Sequence, residues 1–195
     1  MSLITPADFA RLRDVRAHHP DAIAQALAER RRRPVLQGDG RLFIIAADHP
    51  ARGALSVGSD AMAMGDRYGL LERLALALSH PGVDGVLGTP DIIDDLAVLG
   101  VLDDKVVVGS MNRGGLQRAR FEMDDRYTAY DVPTMVERGI DFAKALAGGA
   151  YLPLVVGQSE RPEHSYDHRG YVAVGGGGSY PTLMSIARDI AARGA

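Results

Sequence analysis

The chain has 195 residues, a formal charge of −3 and a pI near 6.0, a balance that gives no general attraction to nucleic acid or anionic membranes. It contains no cysteine, which excludes a disulfide framework, thiolate catalysis and a cysteine-ligated metal. No basic start with an apolar leader is evident, and no apolar stretch reaches the roughly 18 residues that span a bilayer, so we expect a cytoplasmic protein with one domain over residues 1–195.

The first part of the chain, to about residue 36, is predicted to be a helical extension of this domain. Residues 20–33 have Ile23, Ala24 and Leu27 at helical spacing, and the following Pro34 disfavours continuation of a helix. The helix would end in four consecutive arginines, residues 30–33. Cations at a helix C-terminus interact well with the helix dipole, which favours a structural role; an anion or RNA patch is the alternative.

The rest of the chain alternates apolar strands with amphipathic helices. Strands are predicted at residues 42–47, 83–89, 105–110 and 140–145, with a further one at 152–156 and a last one at 170–174. Helices are predicted at residues 61–79, 90–99, 133–138 and 180–193. Repeated strand-then-helix units with continuous apolar strands indicate an α/β fold with a parallel sheet and right-handed crossovers.

In such folds the functional groups lie at the carboxyl ends of the strands. The polar residues found there are Asp48 and His49 after the first strand, Thr89 and Asp91 after the second, Ser110, Asn112 and Arg113 after the third, and Lys144 in the fourth. We expect them to share one rim of the sheet. Lys105 precedes its strand instead, so we expect it at the opposite end in a structural role.

Four segments carry a family resemblance: LFIIAADHPARG at residues 42–53, GVDGVLGTPD at 82–91, KVVVGSMNRGG at 105–115 and FEMDDRYTAY at 121–130. With the region up to Lys144 they cover about three quarters of the chain. The sequence resembles the deoxyribose-phosphate and tagatose-bisphosphate aldolase superfamily. It is most similar to the aldolase-like barrel proteins associated with inositol catabolism.

The resemblance implies a (β/α)8 TIM barrel and a class I lyase that holds a carbonyl substrate on a lysine as a Schiff base, without a cofactor. It makes Asp48 a proton shuttle or the partner of the lysine, and His49 either a second acid or base or a hydrogen-bond donor to the substrate. Asn112 and Lys144 complete the predicted catalytic group. In these aldolases the Schiff-base lysine usually lies on the sixth strand, whereas Lys144 matches the fourth, where the family often has an auxiliary lysine.

The predicted barrel is shortened. A complete (β/α)8 barrel takes about 250 residues, and 51 residues follow Lys144 here. Open edges and an exposed apolar face would favour a homo-oligomer.

The substrate is expected to be a small phosphorylated sugar or keto acid. Near the C-terminus, Gly176, Gly177, Gly178 and Ser179 precede a predicted helix, an arrangement that suits a phosphate. Alternatively these residues form a turn in which Ser179 caps the helix. Arg113 and Arg126 are candidate partners for the phosphate charge, or they pair with neighbouring aspartates. We also place Asp91 and Ser110 among the substrate-binding residues.

Two alternatives remain open. His164 and His168 are four residues apart and would bind a metal if they lay on a helix, although Pro162 and the polar composition favour a loop, so no metal is expected. The chain could also be a non-catalytic shortened barrel that binds a sugar phosphate or associates with a full-length relative.

Overall fold

The computed structural model describes residues 3–38, 40–52, 55–111, 129–147 and 150–155. They form a mixed α/β fold with a five-stranded sheet. The elements are α1 (Pro6–His18), α2 (Asp21–Glu29), β1 (Ile44–Ala46), a 3-10 turn (Pro50–Arg52), α3 (Arg67–Ser79), β2 (Gly85–Gly88), α4 (Pro90–Val98), β3 (Val106–Ser110), α5 (Val132–Glu137), β4 (Phe142–Ala147) and β5 (Ala150–Val155).

The strands follow one another in the sheet in the order of the sequence, β1-β2-β3-β4-β5. The first four are parallel, as predicted, and β5 pairs antiparallel with β4. The described strands leave β1 and β5 as the two edges and do not close into a barrel.

Capping residues determine where several helices begin. Thr5 and Asp8 form a reciprocal capping box at the start of α1, with Thr5 N donating to Asp8 Oδ2 at 2.9 Å. The helix predicted from residue 61 begins instead at Arg67, because Asp66 caps it through the backbone N–H of Tyr68 at 3.1 Å. Residues 61–65 form turns before that cap.

One face of the sheet is covered by helices. Val86 of β2 and Val107 of β3 are fully buried on this face. The buried side chains of the covering helices are Leu71, Leu74 and Leu78 in α3 and Ile93 and Leu96 in α4. At about 1.5–3 kcal/mol for each large apolar side chain removed from water, burial of these residues stabilises the packing of α3 and α4 on the sheet.

The opposite face has a different character. Register pairs Ala46 with Leu87, Leu87 with Val108 and Val108 with Phe142, so these side chains share one side of the sheet. Ala46 is exposed, and Leu87 and Val108 are only partly buried. This less covered face carries the polar side chains described below.

The arginine run has a structural role, but not the predicted one. Helix α2 ends at Glu29, and Arg30 already has extended backbone angles. Arg30 and Arg32 both pair with the buried Asp141, at 3.1 and 2.6 Å, and Arg33 pairs with Asp84 at 2.8 Å. The run therefore joins α2 to the amino ends of the strands instead of complementing a helix dipole.

The same end of the sheet holds Asp84 and Lys105. Asp84 Oδ2 accepts a 2.7 Å hydrogen bond from the backbone N–H of Phe43, and this bond, with the one from Arg33, lowers the pKa of Asp84. Lys105 Nζ donates to the carbonyl of Val83 at 2.7 Å, and burial lowers its pKa. The structural role predicted for Lys105, away from the carboxyl ends of the strands, is confirmed.

Candidate functional site

Three polar side chains meet on the less covered face of the sheet, at the carboxyl ends of the parallel strands. Ser110 is the last residue of β3 and pairs in register with Lys144 of β4. Asp48 follows the end of β1 by two residues, which puts it on the same side as Ala46. The strand-end pattern predicted this common location.

The three side chains are in direct contact. Lys144 Nζ donates a hydrogen bond to Asp48 Oδ2, and the same oxygen accepts a 3.4 Å hydrogen bond from Ser110 Oγ. Asp48 is 2% exposed and Ser110 is 1% exposed, while the Lys144 side chain keeps 15% exposure. A charged amine and a carboxylate thus form an ion pair that is largely shielded from water.

The pair joins the two outer strands of the parallel part of the sheet. Because neighbouring strands are separated by about 4.8 Å, β1 and β4 in a flat sheet would lie about 14 Å apart. The side chain of Lys144 on β4 nevertheless touches Asp48, which follows β1. The site therefore extends over the less covered face of the parallel strands.

Backbone hydrogen bonds hold these residues in place. Met111 N donates to the carbonyl of Lys144 at 2.8 Å, which extends the β3–β4 pairing one residue beyond Ser110. Ala47 N donates to the carbonyl of Leu87 at 2.7 Å, which fixes the chain immediately before Asp48. Groups positioned by strand ladders have little freedom to move, as a site for chemistry requires.

His49 lies at the solvent side of the pair. Its side chain is 50% exposed, and its Nδ1 is 3.9 Å from Asp48 Oδ1, the carboxylate oxygen that does not receive the Lys144 and Ser110 hydrogen bonds. The described residues therefore bring together Asp48, His49, Ser110 and Lys144, four of the predicted site residues.

Asp91 belongs to a different cluster. Its Oδ1 accepts from Thr89 Oγ1 at 2.6 Å, and its Oδ2 pairs with Arg67 at 2.7 Å. Arg67 and Arg16 also bind Asp95, one turn further along α4. Asp91 thus helps to tie α1 and α3 to the start of α4. Sequence reasoning missed this network, although the four-residue spacing of Asp91 and Asp95 puts both carboxylates on one helix face.

Several predicted site residues lie outside the described parts of the chain. They are Asn112, Arg113, Arg126, Gly176, Gly177, Gly178, Ser179, His164 and His168. Among the residues that are described, no group of three or more histidine, cysteine or acidic side chains is arranged to hold a metal ion. No helix in this part of the chain combines the length and hydropathy needed to cross a membrane.

Comparisons with known proteins identify relatives. Residues 40–149 match the model of the Cgl0159-like family. The crystal structure of Cgl0159 from Corynebacterium glutamicum is similar, with 65% sequence identity and a TM-score of 0.71 over 73% of this chain and 48% of that chain. The matched region thus spans about half the length of that relative. No curated protein matches the sequence.

Proposed function

The chain belongs to the Cgl0159-like family, and we propose that it acts as a class I aldolase-like lyase on a small phosphorylated sugar or keto acid. In this proposal Lys144 forms the Schiff base with the substrate carbonyl, and Asp48 accepts and returns its proton. The parallel strands would then be part of a TIM-barrel-like fold. The observation that carries the proposal is the shielded contact between Asp48, which follows β1, and Lys144, at which the parallel pairing of β3 with β4 ends.

The choice of lysine is simple in this sequence. The chain contains two lysines, Lys105 and Lys144. Lys105 binds the Val83 carbonyl at the amino ends of the strands, away from the Asp48 side chain. Lys144 is therefore the amine that can supply an iminium at this site, even though the resembled aldolases usually use a lysine on a later strand.

The ion pair gives the lysine a route to its reactive form. An ammonium has no lone pair, so Lys144 must lose a proton before it can attack a carbonyl carbon. Asp48 accepts that proton, and the amine nitrogen then bonds to the carbonyl carbon while the C=O electrons move to oxygen. Return of this proton to the oxygen gives a hydroxyl group. The nitrogen then loses a second proton, which Asp48 passes to the hydroxyl, so that water leaves and the nitrogen lone pair forms the iminium.

Cleavage uses the iminium as an electron sink. A base removes the proton of the substrate's β-hydroxyl, the new C=O forms, and the electrons of the broken C–C bond move to the iminium nitrogen to give an enamine. An aldehyde is released. Protonation of the enamine carbon and attack of water on the resulting iminium then release the second product and restore the amine. Asp48 lies close enough to Lys144 to serve in these proton transfers.

Borohydride trapping tests the proposal. The protein is incubated with pyruvate, dihydroxyacetone phosphate or acetaldehyde, reduced with sodium borohydride and analysed by peptide mass spectrometry. We expect a stable adduct on the peptide that contains Lys144, with none on Lys105. Lys144→Met removes the adduct and Lys105→Arg retains it.

Circular dichroism and the melting temperature show that each variant is folded. Absence of an adduct on Lys144 with every probe would overturn the proposal. That result would favour the other function suggested by the sequence, a non-catalytic domain that binds a sugar phosphate or associates with a full-length relative.

A further inference from the structure

The two oxygens of the Asp48 carboxylate have different surroundings. Oδ2 accepts the hydrogen bonds of Lys144 and Ser110, on the closed side of the site. Oδ1 lies 3.9 Å from His49 Nδ1. Among the described residues, Asp48 thus lies between a partly buried amine and an imidazole that is half exposed to solvent.

The proposed chemistry requires a route by which a proton can leave Asp48, and this arrangement provides one. A proton that passes from Lys144 to Asp48 must later reach the substrate or the solvent, or the next turnover cannot begin. Asp48 is 2% exposed, so direct exchange with bulk water is restricted. An imidazole can both accept and donate a proton near neutral pH, and its two nitrogens can do so at opposite edges of the ring.

We propose that His49 relays protons between the Asp48 carboxylate and the solvent. The inference rests on the proposed function, since it concerns the same site. In the forward direction Asp48 Oδ1 gives its proton to His49 Nδ1, and the opposite ring nitrogen releases a proton to water. The 3.9 Å separation exceeds a hydrogen bond, so a small side-chain rotation or one bridging water completes the transfer.

The charges around His49 suit such a role. Of the described side chains at the site, the Asp48 carboxylate lies nearest to the imidazole, and Lys144 contacts the other oxygen of that carboxylate. A solvent-facing histidine with no such function is the competing interpretation. The two differ in whether the chemistry of the site depends on an imidazole.

The test measures proton exchange and uses imidazole to restore it. An enamine exchanges its carbon-bound protons with solvent. Deuterium from D2O therefore enters the carbon next to the ketone of pyruvate or dihydroxyacetone phosphate, and proton NMR follows the exchange. At low buffer concentration we expect His49→Gln to exchange about 100-fold more slowly than the unsubstituted protein, at the lower end of what a positioned acid or base contributes. Added imidazole should restore the rate in a saturable manner.

Two control variants separate the relay from other effects. His80→Gln removes an exposed imidazole whose Nδ1 accepts from Gly82 N at 3.1 Å, and it should exchange at the unsubstituted rate. Asp48→Asn should exchange slowly, and imidazole should not restore it. His49→Gln should still give the borohydride adduct on Lys144 at equilibrium, because the relay affects rates and leaves the amine in place.

The outcomes distinguish the two proposals. If the unsubstituted protein gives neither an adduct nor exchange, the lyase proposal fails. If it gives both, but His49→Gln exchanges at the unsubstituted rate, or slows without response to imidazole, the relay is wrong and the lyase proposal stands.

Discussion

Removal of either member of the Lys144–Asp48 pair should lower the free energy of unfolding substantially. Removal of both should cost less than the sum of the two single losses. Breaking a buried ion pair by removing one partner typically costs about 3–5 kcal/mol, because the other charge loses its oppositely charged neighbour while it stays shielded from water. Asp48 is 2% exposed and the Lys144 side chain is 15% exposed, so both variants should approach this range. Lys144→Met removes the ammonium beside the Asp48 carboxylate, which stays shielded from water. Asp48→Asn removes the carboxylate beside the Lys144 ammonium, which stays largely shielded.

The double variant Asp48→Asn/Lys144→Met removes both charges. We expect its loss of unfolding free energy to be smaller than the sum of the two single losses by about 2 kcal/mol, within the usual range for residues in contact. Urea unfolding at pH 7, followed by circular dichroism, measures all four proteins. The m-values should agree, which shows that the same surface is exposed on unfolding.

A matched control uses the exposed pair of Arg31 and Asp104, whose side chains are 67% and 53% exposed. Solvent screens this bidentate pair, so the cycle Arg31→Met/Asp104→Asn should show a coupling well below that of the shielded pair. The two losses could instead add in the Asp48/Lys144 cycle, with a coupling energy equal within error to that of the control. This result would refute the reasoning that the two site residues form a shielded pair.

Three further predictions concern the fold. Asp141→Ala should lower the unfolding free energy by about 3–5 kcal/mol, since it leaves the Arg30 guanidinium buried and unpaired, and urea unfolding measures the loss. Gly85→Ala should lower it by about 1–3 kcal/mol, because the added Cβ would overlap the backbone of β3, whereas Gly38→Ala, with open space around the Cβ, should not destabilise the protein in the same assay. The lowered pKa of Asp84 means that its stabilising effect is complete above the ordinary carboxyl pKa of about 4 and is lost as the pH falls through the lower folded-state value. Thermal unfolding between pH 5 and pH 2 should therefore show a shallower acid dependence for Asp84→Asn than for the unsubstituted protein, and equal slopes would contradict this account.

The parallel part of the fold could be predicted because its signals are local. Apolar strands followed by amphipathic helices predicted β1 to β4 in their observed order, with boundaries displaced by about two residues. The direction of β5 was not predicted. Two residues, Gly148 and Gly149, separate it from β4, and a spacing of this kind is typical of a hairpin and of antiparallel pairing.

The interactions that sequence reasoning missed depend on distant partners. Nothing local indicates that Arg30 pairs with Asp141, 111 residues away. From the sequence, a run of arginines after a helix is therefore interpreted as a feature of the helix end. Only the structure shows that the sheet places Asp141 beside it. The capping box of Thr5 and Asp8 is a local signal for α1 that a search for apolar periodicity does not detect.

The candidate site, like the fold, was predicted only in part. Strand-end positions predicted that Asp48, Ser110 and Lys144 share one side of the sheet. The resemblance gave contact with the lysine as one of two roles for Asp48, whereas strand-end positions alone could not show that the two side chains touch, because the contact depends on how the whole sheet and the chain after β1 are placed. Sequence reasoning grouped Asp91 with the substrate-binding residues, whereas its carboxylate binds Thr89 and Arg67.

Deuterium exchange at the carbon next to the ketone of pyruvate or dihydroxyacetone phosphate tests the proposed enamine chemistry most directly, since it requires no knowledge of the aldehyde acceptor. The unsubstituted protein and Lys105→Arg should both incorporate solvent deuterium, and Lys144→Met should incorporate it at the rate without protein. Exchange by Lys144→Met at the unsubstituted rate would contradict the assignment of this amine as the reactive group.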